Sequence, residues 1–493
     1  MDGGRTKLRS AAILAACAAL GALAAMLVNA RRPFGLTDEG FQYLLSRSWA
    51  HGDNLFQRFE VLYPIGQYAW YGTWMALFGD AVWVLRLGRA LLCGIAAAVA
   101  WWAVRRWSGE AVAWAVALAV AVADPGLAIG VAAAALTATA LRACEPGRPA
   151  PHFLAWTGAL AGLALPWRED VAVLGLVLAF LVVWRGRGGA SGALTAAGGF
   201  AAGVAPWLAL EGARGELAPF VAHLAERVGL LFPRVAQPRH TFLPMDYGPS
   251  LSSPRALVGA TVPLLVLVPP LIYGALLARQ WLRRRAGRPI EPQHVGAALA
   301  GLAFVPQVLW ERPDIWHLRA HLVVLLTVVG VVAGSFSVRG RIRVAAGLAA
   351  AAAAMGVLLT VQYRLADAGE YPCGEGRRIG AHVEGGAPPW ACLASGPGET
   401  LIVLPWGPGW YAVEAPSPGT RILAAIDRHV RRPETVAAAC ADLRRAANRW
   451  VITGRDYVRT AAVPGDLAIA GTVREAYRLK AAWRQWELWE RAP

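Results

Sequence analysis

Three groups of charged residues interrupt an otherwise apolar chain, and their types are those of acid–base and anion chemistry. The first is Asp38-Glu39, in the stretch Leu36-Thr37-Asp38-Glu39-Gly40-Phe41 directly after the first apolar span. The others are Trp167-Arg168-Glu169-Asp170 and Glu311-Arg312-Pro313-Asp314-Ile315-Trp316-His317. A positioned carboxylate is the usual base for taking the proton of an alcohol. Arginine presents a planar fork of donors that matches phosphate oxygens. Taken alone, Asp38-Glu39 is also an ordinary helix start, with Thr37 at the N-cap and two acids in the first turn, where the helix dipole favours negative charge.

Each further candidate carries a plain structural explanation beside the chemical one. Arg47 and Arg58 follow on the same loop, to pair with Asp38 or to face anionic lipid. Arg86 and Arg89 stand one helical turn apart and so share a face, which either clasps a phosphate or snorkels to the interface. Arg168 can neutralise a phosphate while Glu169 or Asp170 orients it; otherwise the hairpin is a topogenic turn with a local ion pair. Arg312 and His317, with Asp314 between them, can reach phosphate oxygens, and Trp310 and Trp316 can stack on a sugar or pack on lipid. Pro313 marks the turn there, and Arg319 and His321 continue inward on the next helix. The loop from Glu211 to Arg255 adds Arg234, Arg239, His240, Asp246 and Tyr247, with no specific spacing.

The elements that must position these groups are membrane helices. Of 493 residues, 56% are hydrophobic and 16% charged, against about 25% charged in soluble chains, and the mean hydropathy is +0.42. The net charge of +16 is almost all arginine, Lys7 and Lys480 being the lysines. Its scatter among apolar spans argues against nucleic acid and for phosphate-bearing lipid. Spans of about 20 apolar residues, fewer where short, are expected at 10–30, 82–104, 111–124, 126–141, 153–166, 171–184, 191–210, 256–278, 293–310, 318–334 and 344–361. The short members of the pairs at 111–141 and 153–184 leave room for one re-entrant hairpin. The first span is too long for a signal-peptide core and reads as a retained helix. Segment 62–79, studded with Tyr63, Tyr68, Trp70, Tyr71 and Trp74, reads as a helix lying at the interface.

Orientation follows from the basic residues. The loops at 1–9, 105–110, 142–152, 185–190, 279–292 and 335–343 carry seventeen Lys and Arg, against eleven in the longer loops opposite. The dense side is expected to be cytoplasmic, in the inner (plasma) membrane. The N-terminus is then inside, and all three charged groups fall on the outer face.

After residue 361 the texture becomes that of a soluble domain, so the expected boundaries are 1–361 for the transmembrane part and 362–493 for a small α/β domain outside. Strands are expected at 401–405, 449–453 and 483–490, and helices at 433–447 and 470–478. Cys373 and Cys392 are a candidate disulfide in an oxidising compartment, or two unpaired thiols; Cys440 reads as a core residue. Cys17, Cys93 and Cys144 have no metal-ligand spacing.

No P-loop, Rossmann fingerprint, HExxH, GxSxG or CxxC pattern is present. The layout resembles the GT-C superfamily of polytopic glycosyltransferases, nearest to the bacterial protein-mannosyltransferase and aminoarabinose-transferase types. The resemblance rests on one span followed by Thr37-Asp38-Glu39-Gly40, then Leu62-Tyr63-Pro64, and Phe78-Gly79 leading to Leu85-Arg86. Arg168-Glu169, the run from Arg312 to His317 and an outer C-terminal α/β domain complete it.

That resemblance implies transfer of a sugar from a polyprenyl-phosphate donor to an acceptor on the outer face. It implies Asp38 as the base, Glu39 holding the site together, and Arg168, Arg312 and His317 on the lipid phosphate. Arg58, Arg86, Arg89, Glu169 and Asp314 complete the expected substrate-binding set. No Asp-x-Asp stands in the first loop, so a divalent metal stays open as a cofactor but has no ligand motif behind it, and the Trp-Trp-Asp of oligosaccharyltransferases is absent too. The alternative is a transporter or flippase of a lipid-linked precursor, which would need ionisable residues at mid-membrane; here the span centres are nearly free of charge.

Overall fold

Helices make up most of the chain, and the two compact units they form are interleaved in sequence. In the computed structural model, every residue is described except 1, 30–31, 60, 62–64, 124–128, 145–149, 184–188, 230–253, 311–318, 366–367, 373, 385, 392, 394–399, 406, 408, 415–416, 421–432, 456 and 462–463. One unit comprises Met1–Val28 and Arg89–Leu359; the other comprises Asn29–Gly88 and Thr360–Pro493. The segment after the first span therefore belongs with the C-terminal region, a grouping that a boundary drawn at 361 alone does not contain.

In their described residues, all eleven expected spans are mainly helical, including both short pairs, as Glu110–Val122 with Ile129–Ala143 and Ala150–Ala164 with Glu169–Val182. Among the described residues, Ser10–Asn29, Val82–Ser108, Gly189–Ala213 and Val338–Val361 are long and apolar enough to cross a membrane. Glu110–Val122, Gly130–Ala143, Pro292–Val305 and His321–Ala333 are shorter apolar helices. The protein is a polytopic membrane protein.

Close packing in the first unit comes from small residues. A Cβ on Gly158 would sit 2.0 Å from the Ala196 carbonyl oxygen, and one on Gly162 would sit 2.2 Å from that of Phe200. Gly199 and Gly203 return the relationship, meeting the carbonyls of Ala155 and Ala159 at 2.1 and 2.2 Å. Two glycines four residues apart on each helix thus let the backbones of Ala150–Ala164 and Gly189–Ala213 touch, the small-residue mode of association in lipid. The core beside them is built of Ala, Val and Leu around Trp101, Tyr273 and Phe304, all fully buried.

The second unit holds a five-stranded sheet of order β4-β3-β5-β7-β6. Its strands are β3 (Thr400–Leu404), β4 (Ser417–Pro418), β5 (Asn448–Gly454), β6 (Tyr477–Trp483) and β7 (Trp486–Arg491); β1 (Ala368–Glu370) and β2 (His382–Glu384) pair apart from it. β3 and β5 are parallel, joined through the helix Pro433–Arg444, and β5, β7 and β6 run antiparallel in turn. The helix expected at 470–478 instead runs Pro464–Ala476 and gives way to β6. Pro464 suits a first helical turn. Tyr477 leaves the helix because its buried hydroxyl sits 2.8 Å from the Leu443 carbonyl and 2.9 Å from that of Asn448. Cys440 is a buried free thiol in the core of Ile402, Leu443, Val451 and Trp489, as expected. Cys373 and Cys392 lie outside the described residues.

The aromatic segment 62–79 forms a helix that turns one aromatic face inward and leaves Leu77 and Phe78 exposed. Its helix, Gly66–Phe78, buries Tyr68 and Tyr71 completely, so both are core residues of this unit. Gly72 admits Trp49, whose ring lies where a side chain would stand. Part of its aromatic content serves burial, with Phe41 of the helix Asp38–Ala50 lying edge to face on Tyr68.

Candidate active site

The acidic pair divides its labour. The helix Asp38–Ala50 begins where expected, with Asp38 and Glu39 in its first turn. Thr37 stands at the N-cap position but makes no side-chain cap bond, its φ of −95° and ψ of −103° lying outside the extended range that aims a hydroxyl at the first turn. Glu39 takes over: its Oε2 accepts the Gly35 N–H at 2.8 Å. Arg86 donates to the same carboxylate, Nε to Oε1 at 3.0 Å and NH2 to Oε2 at 3.3 Å. Burial pushes the Glu39 carboxyl up, but the charges of Arg86 and Arg32 and these hydrogen bonds outweigh it and hold it at about 2. Asp38, by contrast, is exposed.

Close backbone contact fixes this turn in place. A Cβ on Gly40 would lie 2.3 Å from the Gly409 Cα, and Gly409 N–H donates to the Leu36 carbonyl at 2.8 Å. Phe34 N–H donates to the His382 carbonyl at 2.6 Å. The first loop is therefore bonded through its own backbone to the C-terminal part of its unit.

Asp80, absent from the sequence-based candidates, organises the far end of this region. Arg378 grips it with two hydrogen bonds, at 2.7 and 2.6 Å, and Arg47 adds a third contact at 3.0 Å. The Arg378 bonds hold the Asp80 carboxyl below its usual range against the opposing effect of burial, with Arg47 assisting. Arg58 is exposed, pairs with Asp53 and lies over the Phe59 ring. Arg89 lies three residues beyond Arg86, half-buried, in the portion of that helix assigned to the other unit.

In the first unit, the corner between the helices Ala150–Ala164 and Glu169–Val182 carries Arg168, Glu169 and Asp170. Arg168 donates twice to Asp170, at 3.0 and 2.7 Å, and Asp170 also accepts the Val171 N–H at 2.9 Å. Glu169 pairs with Arg227, and both are buried, at 2% and 5% exposure. Arg227 was not a sequence candidate. Its signal was the spacing Phe220, Leu224, Arg227, which puts a charge on the buried face of Leu217–Gly229. Arg312, Asp314 and His317 lie outside the described residues. Among the described residues, no three His, Cys, Asp or Glu side chains cluster as a metal ion would need.

The sequence matches no protein-family model and no curated protein. Its structure does find neighbours. The crystal structure of ArnT from Cupriavidus metallidurans in the apo state superposes with a TM-score of 0.56 at 15% identity, covering 98% of both chains. ArnT bound to undecaprenyl phosphate gives 0.53 at 16% identity, covering 97% of both. The chain has the GT-C fold. The apo oligosaccharyltransferase of Archaeoglobus fulgidus, at 0.53 and 11% identity, covers 94% of this chain and 72% of its own. The GT-C fold thus accounts for nearly the whole length, the polytopic helices and the small C-terminal sheet together.

Proposed function

We propose that this protein is a membrane glycosyltransferase that moves a sugar from a polyprenyl-phosphate donor to an acceptor hydroxyl on the outer face. The observation that carries this reading is the end-to-end likeness to a structure holding undecaprenyl phosphate. In this reading the basic loops are cytoplasmic and the second unit is extracytoplasmic. Asp38 is the base: it takes the acceptor proton as the oxygen attacks the anomeric carbon and the bond to the lipid phosphate breaks. Glu39 acts through Asp38, because its bonds to Arg86 and Gly35 fix the turn that presents the neighbouring carboxylate. The departing phosphate gains negative charge, and preorganised cations in a water-poor site stabilise it. Arg312 and His317 are proposed for that task, with Arg58 and Arg89 as further contacts for the anionic lipid. Arg168 and Arg86 are committed to internal carboxylates and act as positioning residues.

The test is direct. Purified protein should bind undecaprenyl phosphate in native mass spectrometry. Incubated with undecaprenyl-phosphate sugars and cell-envelope acceptors, it should release undecaprenyl phosphate, as read by thin-layer chromatography. Absence of both binding and release with every donor would overturn the reading.

A further inference from the structure

Four helices of the first unit, Ser10–Asn29, Val82–Ser108, Glu110–Val122 and Val338–Val361, leave an apolar groove of about 650 Å³ between them. Its walls include Leu20 and Gly21, Trp114 and Leu118, and Ile342 and Ala346, and no charged side chain lines it among the described residues. Leu20, Leu118 and Ile342 are exposed, and only 6% of the most apolar stretch of Val338–Val361 is buried in the protein. The groove therefore opens to the bilayer. An apolar void stays dry, and lining atoms without neighbours forfeit their dispersion contacts, so hydrocarbon is what fills it.

The groove ends in a basic mouth. Its lining on Val338–Val361 runs from Ile342 to Ala349, a rise of about 10 Å. That fits within one leaflet, half of the hydrocarbon core or about 15 Å. Arg339 stands three residues before Ile342, and Arg343 three before Ala346, so both continue the lining face one turn nearer the basic loop at 335–343. Arg341 stands four before Ala345, on the neighbouring row. Arg339 and Arg343 are exposed and Arg341 is half-buried. None of the three side chains has a hydrogen-bond or ion-pair partner among the described residues.

Basic residues at the membrane boundary are not always left so. Arg279 and Arg283, in the loop at 279–292, pair with Glu291 at 3.6 and 3.3 Å. Glu110, beside the groove, is engaged as acceptor of the Trp101 indole N–H at 3.2 Å. An apolar slot one leaflet deep, headed by unpaired arginines, complements an amphiphile with an anionic head. Arginine's planar fork matches phosphate oxygens, and basic pockets between spans hold anionic headgroups. We infer that this groove binds an anionic phospholipid of the leaflet beside the basic loops, with an acyl chain along the groove and the phosphate on Arg339, Arg341 and Arg343. The depth suits an acyl chain and falls short of the much longer undecaprenyl chain. The bound lipid ties the outlying helix Val338–Val361 to the bundle, a role separate from catalysis.

The experiment titrates delipidated full-length protein by native mass spectrometry. The probes are phosphatidylglycerol, phosphatidylcholine with the same acyl chains, and undecaprenyl phosphate. Three arginines near an anionic head are together worth roughly 100-fold, so wild type should bind phosphatidylglycerol at least about tenfold more tightly than phosphatidylcholine. The triple variant Arg339→Gln, Arg341→Gln, Arg343→Gln should erase that preference. Ala346→Phe, which fills the groove from an exposed position, should weaken phosphatidylglycerol by a similar factor, with wild-type melting confirming the fold. A photoactivatable phosphatidylglycerol should cross-link to Val338–Val361 in wild type, and this decides the matter should Ala346→Phe fail to fold. Both variants should keep wild-type affinity for undecaprenyl phosphate, separating this site from the donor site. Equal wild-type affinity for the two phospholipids would leave only ordinary boundary lipid and overturn the inference. So would a preference that survives the triple variant, or cross-links confined to other helices. Displacement of phosphatidylglycerol by equimolar undecaprenyl phosphate would give the groove to the polyprenyl lipid instead, overturning the phospholipid assignment and leaving the glycosyltransferase reading standing.

Discussion

Arg86 holds both carboxylate oxygens of Glu39, Nε on Oε1 at 3.0 Å and NH2 on Oε2 at 3.3 Å. The two residues are buried to 11% and 5% exposure. The carboxyl is depressed from 4.5 to about 2, so its protonation opposes folding. Its contribution is fully present above about pH 4.5 and is lost as pH falls toward about 2, an effect of about 3 kcal/mol. Thermal melts from pH 6 to pH 2 should show wild type losing stability steeply in that window, whereas Glu39→Gln should be less stable at pH 6 and flatter below. Matching pH profiles for the two proteins would rule the pair out as the acid-sensitive element.

The same pair should be replaceable only as a unit. Arg86→Met leaves a buried carboxylate without its ion-pair partner and should cost about 3–5 kcal/mol. Adding Glu39→Leu should recover much of that loss, read as the midpoint of chemical denaturation. A double variant no better than the single one would mean that Arg86 matters through its packing.

Asp38 is exposed and Asn keeps its shape, so Asp38→Asn should remain folded. Loss of a general base should lower turnover by about 100- to 10,000-fold. Glu39→Gln should instead lose stability and activity together. Near-wild-type turnover of Asp38→Asn would remove it as the base.

The contact between Gly40 and Gly409 should tolerate no side chain. Gly40→Ala places a Cβ 2.3 Å from a backbone atom that cannot rotate away. It should cost at least about 1–3 kcal/mol, the range for overpacking. Gly471→Ala, in the helix Pro464–Ala476 with nothing within 4 Å, should instead stabilise by up to about 1 kcal/mol. Proteolysis or hydrogen exchange of the second unit would separate the two, and an unperturbed Gly40→Ala protein would contradict the close approach.

Orientation can be read with single cysteines in a background where the native ones are replaced. Ala190→Cys should be protected from an impermeant thiol reagent applied outside, and Ser252→Cys should react. The reverse pattern would turn the protein over and place Asp38 on the cytoplasmic side.

The sequence by itself determined the membrane helices, because a span of about 20 apolar residues needs no partner to declare itself. It located the helix start at Asp38 and most strands and helices of the C-terminal sheet, since these follow from local periodicity and turn residues. It also singled out Glu39, Arg86, Arg168 and Glu169 as charges worth explaining. What it left open was who pairs with whom. Asp80 became visible only when Arg378, nearly three hundred residues away, closed on it. Arg227 looked like an ordinary charge beside a span until tertiary packing buried it against Glu169. That Tyr68 and Tyr71, among the aromatics of their segment, are fully buried was decided by the packing of the helix Asp38–Ala50 beside them. The membership of residues 29–88 in the C-terminal unit was likewise a tertiary decision, made by backbone bonds between Leu36 and Gly409 and between Phe34 and His382. Hydropathy is a one-residue property and survives in the sequence. Charge pairing and burial depend on the partner that long-range folding brings, and only the tertiary structure supplies it.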